Sequence, residues 1–459
     1  MKKLITVSAV FLSLLITQSY NCTLSKSEYL QLAEQTGTWL SSASIEEGNG
    51  IYWPPQPDTT RSGSITLYHG SPGPILFFLE LYKASGDENA LEQAARGTEW
   101  LISQAHDSQG GYYWSSFSYQ GKPFPDAGLY TGTAGVGTVF LEMYKELKDE
   151  KYLKYARGAA DYLKSAAVKQ GEGMRWSQVT DIISGTAGTG MFMIKAAKEL
   201  NDSGYLEPAR QAGLFLIDQA YREDTGTKWA IYKGYTDRIY PNFSHGTSGI
   251  SYYLALLYKE TGEQQFLDMA LEGAEWLINN RENPGEGAAW YHHEPDGKDL
   301  YYVSYCHGPP GTARLFYQLY LATGDEKWMD MVKESAKWLM SVGLLEHEID
   351  GYWNVSQCCG TAGIGDFFVN MYKITGEADY FEWAQTMIGE LKKQATGADG
   401  GLKWFNAENR TRPDEKYTQT GWAQGASGIG LFFLKMYAVE NEKQSYNVLA
   451  LPDCPFEWK

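Results

Sequence analysis

Cysteine is scarce in this chain: 459 residues carry 5 of them. So low a share excludes a disulfide-stapled scaffold. Basic charge is also in short supply, with 39 Lys and Arg against 56 Asp and Glu and a net charge of −17. No Lys/Arg run offsets that balance, which argues against nucleic acid or an anionic membrane surface as a general partner. Long apolar runs are missing as well. Beyond the N-terminus no segment reaches the roughly 18 uninterrupted apolar residues that a membrane span requires. Glycine and aromatic residues, by contrast, are plentiful: 49 Gly, 15 Trp, 33 Tyr and 18 Phe. Such a composition supports a large buried core.

The first residues read as an address. Lys2 and Lys3 precede an apolar stretch from Leu4 to Ile16, too short to span a membrane and of the length of a secretory leader. The sequence therefore predicts a signal peptide over 1–21 and an exported domain over 22–459. Cleavage before Cys22 would leave a thiol that can carry a lipid anchor, although Ser19-Tyr20-Asn21 departs from the Leu-Ala-Gly type of context. The mature chain is expected to be a monomer.

The glycines are periodic. A Gly-x-x-Gly element starts at Gly70, Gly132, Gly185, Gly246, Gly308, Gly360 and Gly425, so successive starts lie 62, 53, 61, 62, 52 and 65 residues apart. Seven copies of one unit fill the chain. Each glycine pair opens an apolar segment of about four turns, hydrophobic nearly all round, which predicts a helix buried on every side. Five residues after the first glycine stand Ile75, Gly137, Gly190, Ser251, Ala313, Gly365 and Gly430, and six of these seven are small. That slot predicts close helix approach. Stops such as Ser85-Gly86-Asp87 and Thr323-Gly324-Asp325 follow, where glycine ends one helix and the acid suits the start of the next. An amphipathic second helix comes after them, marked by Trp100-Leu101, Tyr162-Leu163, Phe215-Leu216, Trp276-Leu277 and Trp338-Leu339. A tryptophan recurs in the loop before each next copy, at Trp53, Trp114, Trp176, Trp229, Trp290, Trp353 and Trp404, and is expected to pack the rim. The first and last inner segments are as apolar as the middle ones, so neither acts as a polar cap. The expected fold is all-α: a single α/α toroid with seven inner and seven outer helices, its repeat core spanning about 30–440.

In such a ring the residues before each Gly-x-x-Gly gather at one mouth, where helix N-termini present free amides. One residue before the first glycine stand His69, Thr131, Ser184, His245, His307, Cys359 and Gln424. Two residues before it stand Tyr68, Tyr130, Ile183, Ser244, Cys306, Cys358 and Ala423. Three of the chain's 5 cysteines and three of its 7 histidines occupy these fourteen slots. Cys306 and Cys358 hold equivalent positions in consecutive copies, and Cys359 or His307 can add a third soft donor, the inventory of a zinc site with one open position. Buried free thiols, a Cys306–Cys358 disulfide and a vicinal Cys358–Cys359 disulfide are the other readings of the same residues. His245 is a candidate proton-transfer group. Asp181, four residues before Gly185, reads either as a site residue or as a turn and helix-cap residue. Arg314 and Asp366 share one slot of adjacent inner helices and are expected to form an ion pair in the lumen. Cys454 lies outside the repeats and receives no role.

Tyr305-Cys306-His307-Gly308-Pro309-Pro310-Gly311 is similar to the Trp-Cys-x-Gly-x-Pro-Gly motif of the lanthionine synthetase C-like family. Gln357-Cys358-Cys359-Gly360 stands where that family usually has Cys-His-Gly. Asp181 before Ile-Ile-Ser-Gly and His245 before Gly-Thr-Ser-Gly match the family's acidic and histidine positions. The resemblance implies a double ring of helices and thioether chemistry. Zinc held by Cys306, Cys358 and Cys359, with His307 as the alternative third ligand, would bind a substrate thiol as thiolate for attack on dehydroalanine or dehydrobutyrine. His245 would protonate the resulting enolate, and Asp181 would deprotonate or orient the incoming thiol. The implied partner is a peptide or a small thiol. Cys359 in place of histidine is the main departure. Three thiolates and a substrate thiolate on a divalent ion sum to −2, against −1 for the usual set, so the bound sulfur should be more electron-rich.

Two other functions fit parts of the sequence. Helical-hairpin toroids include sugar-cleaving enzymes, and an acidic, aromatic-rich exported chain would suit carbohydrate. That chemistry requires two carboxylates about 5 to 9.5 Å apart, and only Asp181, Asp126 and Asp366 are candidates. A non-catalytic ring that captures a peptide or a small thiol is the third reading.

Overall fold

The structure is a computed structural model that describes residues 27–282, 286–346, 351–398, 400–441 and 448–456. The leader over 1–21 and Cys22 lie outside the described residues. Fourteen α-helices occur among them: α1 (Glu28–Ala43), α2 (Pro72–Ser85), α3 (Glu88–Ser103), α4 (Thr133–Leu147), α5 (Glu150–Ala166), α6 (Thr186–Glu199), α7 (Leu206–Gln219), α8 (Thr247–Thr261), α9 (Gln264–Asn279), α10 (Pro309–Thr323), α11 (Glu326–Ser341), α12 (Thr361–Thr375), α13 (Ala378–Gln394) and α14 (Ala426–Glu440). The even-numbered helices form the inner ring, and the first glycine of six of the seven Gly-x-x-Gly elements is the residue that caps the helix.

Each inner helix packs on the outer helix that follows it, with one exception that closes the ring. α14 has no outer helix after it among the described residues, and α1 takes that place, while α14 also packs on α2. The seventh hairpin is thus assembled from the two ends of the chain. Trp39-Leu40 of α1, both buried, repeats the aromatic-Leu mark of the other outer helices. Helix ends follow the local chemistry. Gly86, Gly262, Gly324 and Gly376 adopt left-handed conformations with φ between 67° and 74°, and Asp87, Asp149 and Asp325 accept a hydrogen bond from the amide two residues on.

The small slot works as a socket. A Cβ on Gly137 would lie 2.5 Å from the ring of Phe192, and one on Gly190 would lie 2.1 Å from Tyr253 Oη. In both cases the aromatic ring comes from the next inner helix. Where the inner helix carries Ile75 instead, the outer helix retreats to Gly97. The loop tryptophans are fasteners. In six of the seven, the indole N–H donates to the carbonyl thirteen residues earlier, from Trp53 to Leu40 (2.8 Å), Trp114 to Leu101 (2.7 Å), Trp176 to Leu163 (2.7 Å), Trp229 to Leu216 (2.8 Å), Trp290 to Leu277 (2.8 Å) and Trp404 to Leu391 (2.8 Å). Each bond satisfies a carbonyl at the C-terminal end of an outer helix. Short two-stranded hairpins, such as Ile45–Glu47 with Gly50–Tyr52, follow most outer helices.

Overpacking the socket should cost stability. Gly190→Ala is expected to lower unfolding free energy by about 1–3 kcal/mol. Gly389→Ala, at a helical glycine with nothing within 4 Å of the added Cβ, should raise it by up to about 1 kcal/mol. Denaturant midpoints of the two variants check both signs.

Candidate functional site

The mouth of the ring is held by backbone hydrogen bonds between equivalent slots. The amide two residues before the first glycine donates to its counterpart in a neighbouring copy: Tyr68 to Tyr130 (3.0 Å), Tyr130 to Ile183 (2.9 Å), Ser244 to Cys306 (3.0 Å), Cys306 to Cys358 (3.0 Å), Cys358 to Ala423 (2.8 Å) and Ala423 to Tyr68 (3.0 Å). Six of seven links are made this way. At the seventh the Ile183 amide turns to Asp181 Oδ1 (3.0 Å), which also accepts from the Ser184 amide (2.9 Å).

Cys306 and Cys358 are brought together by this ring, and Cys359 turns inward beside them. Cys359 Sγ lies 3.2 Å from Cys306 Sγ and 3.3 Å from Cys358 Sγ, and all three sulfurs fall within 4.8 Å of one another. These separations are far from the S–S bond of about 2.05 Å, so all three are free buried thiols and neither disulfide reading is realised. Among the described residues they form the group of sulfur, imidazole and carboxylate donors close enough to share one ion, and His307 is not part of it. Tetrahedral zinc with bonds of about 2.3 Å would place its sulfurs about 3.8 Å apart. The donor set fits such an ion with small adjustment.

Two neutral donors serve the sulfurs. Gln424 Nε2 donates to Cys359 Sγ (3.4 Å) and to Tyr68 Oη (3.1 Å), and the Tyr68 hydroxyl reaches Cys358 Sγ at 3.4 Å. Asn354 and Asn406 donate to Gln424 Oε1, at 3.2 and 2.9 Å, and so fix the amide's orientation. Hydrogen bonds from Cys306 and Cys359 hold the Cys358 thiol well below its ordinary range, whereas burial pushes Cys306 well above it. Burial resists the build-up of negative charge on three adjacent thiols unless a cation compensates it.

His245 stands beside this centre, since its neighbour Ser244 bonds the Cys306 carbonyl. Its Nδ1 is 2.6 Å from Asp181 Oδ2. A carboxylate only accepts, so Nδ1 carries a proton and, in the neutral tautomer this selects, the lone pair is on Nε2. Asp181 is 2% exposed with both oxygens engaged, while the His245 side chain is 34% exposed. Asp181 is thus both the turn residue and the orienting partner of the imidazole.

His307 points elsewhere. Its ring packs against His292, Tyr240, Tyr302 and His245 at centroid distances of 4.3, 5.1, 5.5 and 5.7 Å. Its Nδ1 is buried without a hydrogen-bond partner, and burial holds its pKa well below the ordinary range. Burial, aided by the nearby His293, pushes His292 down to about 3. These neutral imidazoles line one side of the mouth. His292, His293 and Tyr302 continue into a cleft of about 610 Å³ that Arg238, Arg410 and Glu408 also border.

Sequence reasoning did not assign Tyr68, Gln424, His292 or Asp453. The first two occupy the same slots as the cysteines, so the repeat itself carried their signal. His292-His293 follow the recurrent Trp290 and belong to no repeated slot. The expected Arg314–Asp366 pair is present at 3.9 Å, but it is one edge of a larger network. Arg314 bonds the Asp453 carbonyl (3.0 Å), and Asp366 takes Lys435 (2.5 Å). Of the carboxylates that a sugar-cleaving site would need, Asp126 is held by the Gly128 amide and Thr131 Oγ1, at 2.9 and 3.0 Å. Asp366 lies in the lumen with Lys435, and Asp181 is committed to His245.

Comparison with known proteins follows the same lines. A family model described as lanthionine synthetase C-like protein matches residues 61–450. A Danio rerio protein described as glutathione S-transferase LANCL1 is 27% identical over 145 residues, which are 32% of this chain and 33% of that protein. Among solved structures, nisin cyclase superposes with a TM-score of 0.58 at 16% identity, covering 83% of this chain and 90% of its own. A GH76 alpha-mannanase from Bacteroides thetaiotaomicron reaches 0.48 at 12% identity over 91% of this chain and 98% of its own. With a model that matches most of its length, the chain belongs to the lanthionine synthetase C-like family.

Proposed function

We propose that this protein is a zinc enzyme that adds a thiol to a dehydroamino acid, forming a thioether in a peptide or between a peptide and a small thiol. The observation that carries the reading is the cluster of three buried free thiols within 4.8 Å of one another, set beside an Asp181–His245 pair at 2.6 Å. Cys306, Cys358 and Cys359 would hold the metal and leave one position for substrate sulfur. Zinc bound there supplies the Lewis acidity that keeps the incoming thiol as thiolate at neutral pH. His307, packed against His292 and Tyr240, instead lines the approach.

The chain's own groups do the rest. Tyr68 Oη and Gln424 Nε2 donate to the ligand sulfurs and spread the extra charge of an all-thiolate set. His245 Nε2 accepts the proton of the entering thiol. When the sulfur bonds to the β-carbon, the alkene electron pair moves into an enolate, and the imidazolium returns the proton to the α-carbon. Asp181 orients that ring and stabilises its charged form. With both oxygens bound and buried, it does not take the substrate proton itself. Export through the leader at 1–21 belongs to the same proposal and rests on Lys2, Lys3 and the apolar run from Leu4 to Ile16; cleavage before Cys22 would leave a thiol that can carry a lipid anchor.

Metal content is the first check. Purified protein should carry one zinc per chain, lost in the Cys306→Ala, Cys358→Ala and Cys359→Ala variants and kept in His307→Ala. Full zinc in Cys359→Ala together with loss in His307→Ala would overturn the ligand set. Metal-free protein that releases sugar would put the carbohydrate reading in its place.

A rate assay with a dehydroalanine peptide and a free thiol tests the proton path. His245→Ala should slow addition by about 10²–10⁴-fold. Asp181→Asn should also be slow while remaining folded, because its oxygen still accepts the Ile183 and Ser184 amides but its amide group reverses the His245 tautomer. Asp181→Ala should lose about 1–3 kcal/mol of stability for each amide left unbonded. Wild-type and His245→Ala rates both at the uncatalysed background would show a binding protein instead.

A further inference from the structure

The end of the lumen opposite the thiols is filled by the chain's own C-terminal segment. Residues 448–456 run into the ring, with Leu449, Leu451 and Phe456 buried and Phe456 stacked on Tyr317 at 4.9 Å. The Leu449 amide donates to Glu80 Oε2 (3.1 Å). Asp453 of this segment has no exposed surface. Its Oδ2 accepts from Tyr305 Oη (2.5 Å) and Tyr130 Oη (2.9 Å), and Arg314 Nη1 approaches the same oxygen at 3.5 Å.

Both tyrosines lead directly to the thiols. Tyr305 immediately precedes Cys306. Tyr130 accepts the amide of Tyr68, whose hydroxyl touches Cys358 Sγ. Trp422 packs on both rings, at 5.3 Å from Tyr130 and 5.7 Å from Tyr305, and the Cys358 amide bonds to the next residue, Ala423. One carboxylate oxygen thus ties the segment that carries Cys306 to the segment that supports Cys358. Burying a carboxylate there costs more than burying an apolar side chain of equal size. What the carboxylate adds is directional bonding from two phenols on separate repeats, with the Arg314 guanidinium beside it, which fixes distances that apolar contact leaves adjustable.

We infer that Asp453 is a positioning residue for the thiol centre: the C-terminal segment is a strut whose carboxylate sets the spacing of Cys306 and Cys358 through Tyr305 and Tyr130, and with it the affinity for a divalent metal. The inference rests on the metal reading of the three cysteines. It is independent of which thiol or peptide the enzyme uses.

Zinc affinity by chelator competition, and the cobalt(II) thiolate and d–d absorption bands, measure it on the full chain. Asp453→Ala should bind zinc on the order of tenfold more weakly and show a changed cobalt spectrum, with Asp453→Asn in between because it keeps an acceptor for the phenols. Glu142→Gln is the control, since it breaks a buried lumen pair with Lys195 at 2.7 Å that touches neither tyrosine. It should lower stability and leave both metal readouts unchanged. Wild-type affinity and spectrum in Asp453→Ala, or in Asp453→Asn if the alanine variant does not fold, would overturn the proposal, as would an equal loss in Glu142→Gln. A wild-type chain that binds neither zinc nor cobalt is a separate result and sinks the metal reading. The strut is then judged by alkylation of Cys306 in the metal-free protein: faster in Asp453→Asn than in wild type supports it, an unchanged rate refutes it.

Discussion

Closure of the inner ring is the constraint on which everything else depends. Six amides at equivalent positions each bond the carbonyl of a neighbouring repeat, and the seventh position is given over to Asp181. In an open array one such bond could lengthen with little consequence. In a ring, every bond is shared by two neighbours, and movement at one helix start must be absorbed by the others. The break at Ile183 is therefore informative. Where the backbone bond is absent, a buried carboxylate takes over two amides and presents its other oxygen to His245. The Asp181–His245 pair occupies the one gap in an otherwise continuous belt of backbone bonds.

The same belt explains the chemistry of the cysteines. Three thiols packed within 4.8 Å in a buried site cannot all ionise without a compensating cation, because each new charge meets both desolvation and the charge already present. Tyr68 and Gln424 set neutral polar groups against the Cys358 and Cys359 sulfurs. A bound cation would supply the further compensation, and the three clustered thiols offer it a donor set that a core of small apolar residues would not. The neutral histidines on the other side, with His292 pushed down to about 3 by burial, add no positive charge of their own at neutral pH. The donors that touch the sulfurs directly are the uncharged Tyr68 and Gln424.

Stability and function share the lumen. The ring is fastened by tryptophan N–H bonds that tie each loop to the end of the outer helix before it, and by glycine sockets between neighbouring inner helices. The long-range ties are fewer and are made by the chain ends: α1 supplies the missing outer helix, and the C-terminal segment fills the far end of the lumen. Each end of the chain thus completes something the repeats leave unfinished.

The seven-fold period determined the inner and outer helices, the small slot between them, the rim tryptophans and the gathering of Cys306, Cys358 and His245 at one mouth. It could do so because a repeat imposes one local geometry on every copy, so residues in register must end up in register in space. Only the tertiary structure showed which of Cys359 and His307 lies beside the other two sulfurs. These occupy the same slot of consecutive copies, yet one faces the sulfurs and the other faces His292, because their neighbours across the ring differ. It also decided that Asp181 grips His245, that Trp39 and Leu40 belong to the seventh hairpin, and that Asp453 joins Tyr130 to Tyr305. Those contacts join residues with no period between them, 323 positions apart for Tyr130 and Asp453, and such a pairing exists only once the ring has closed.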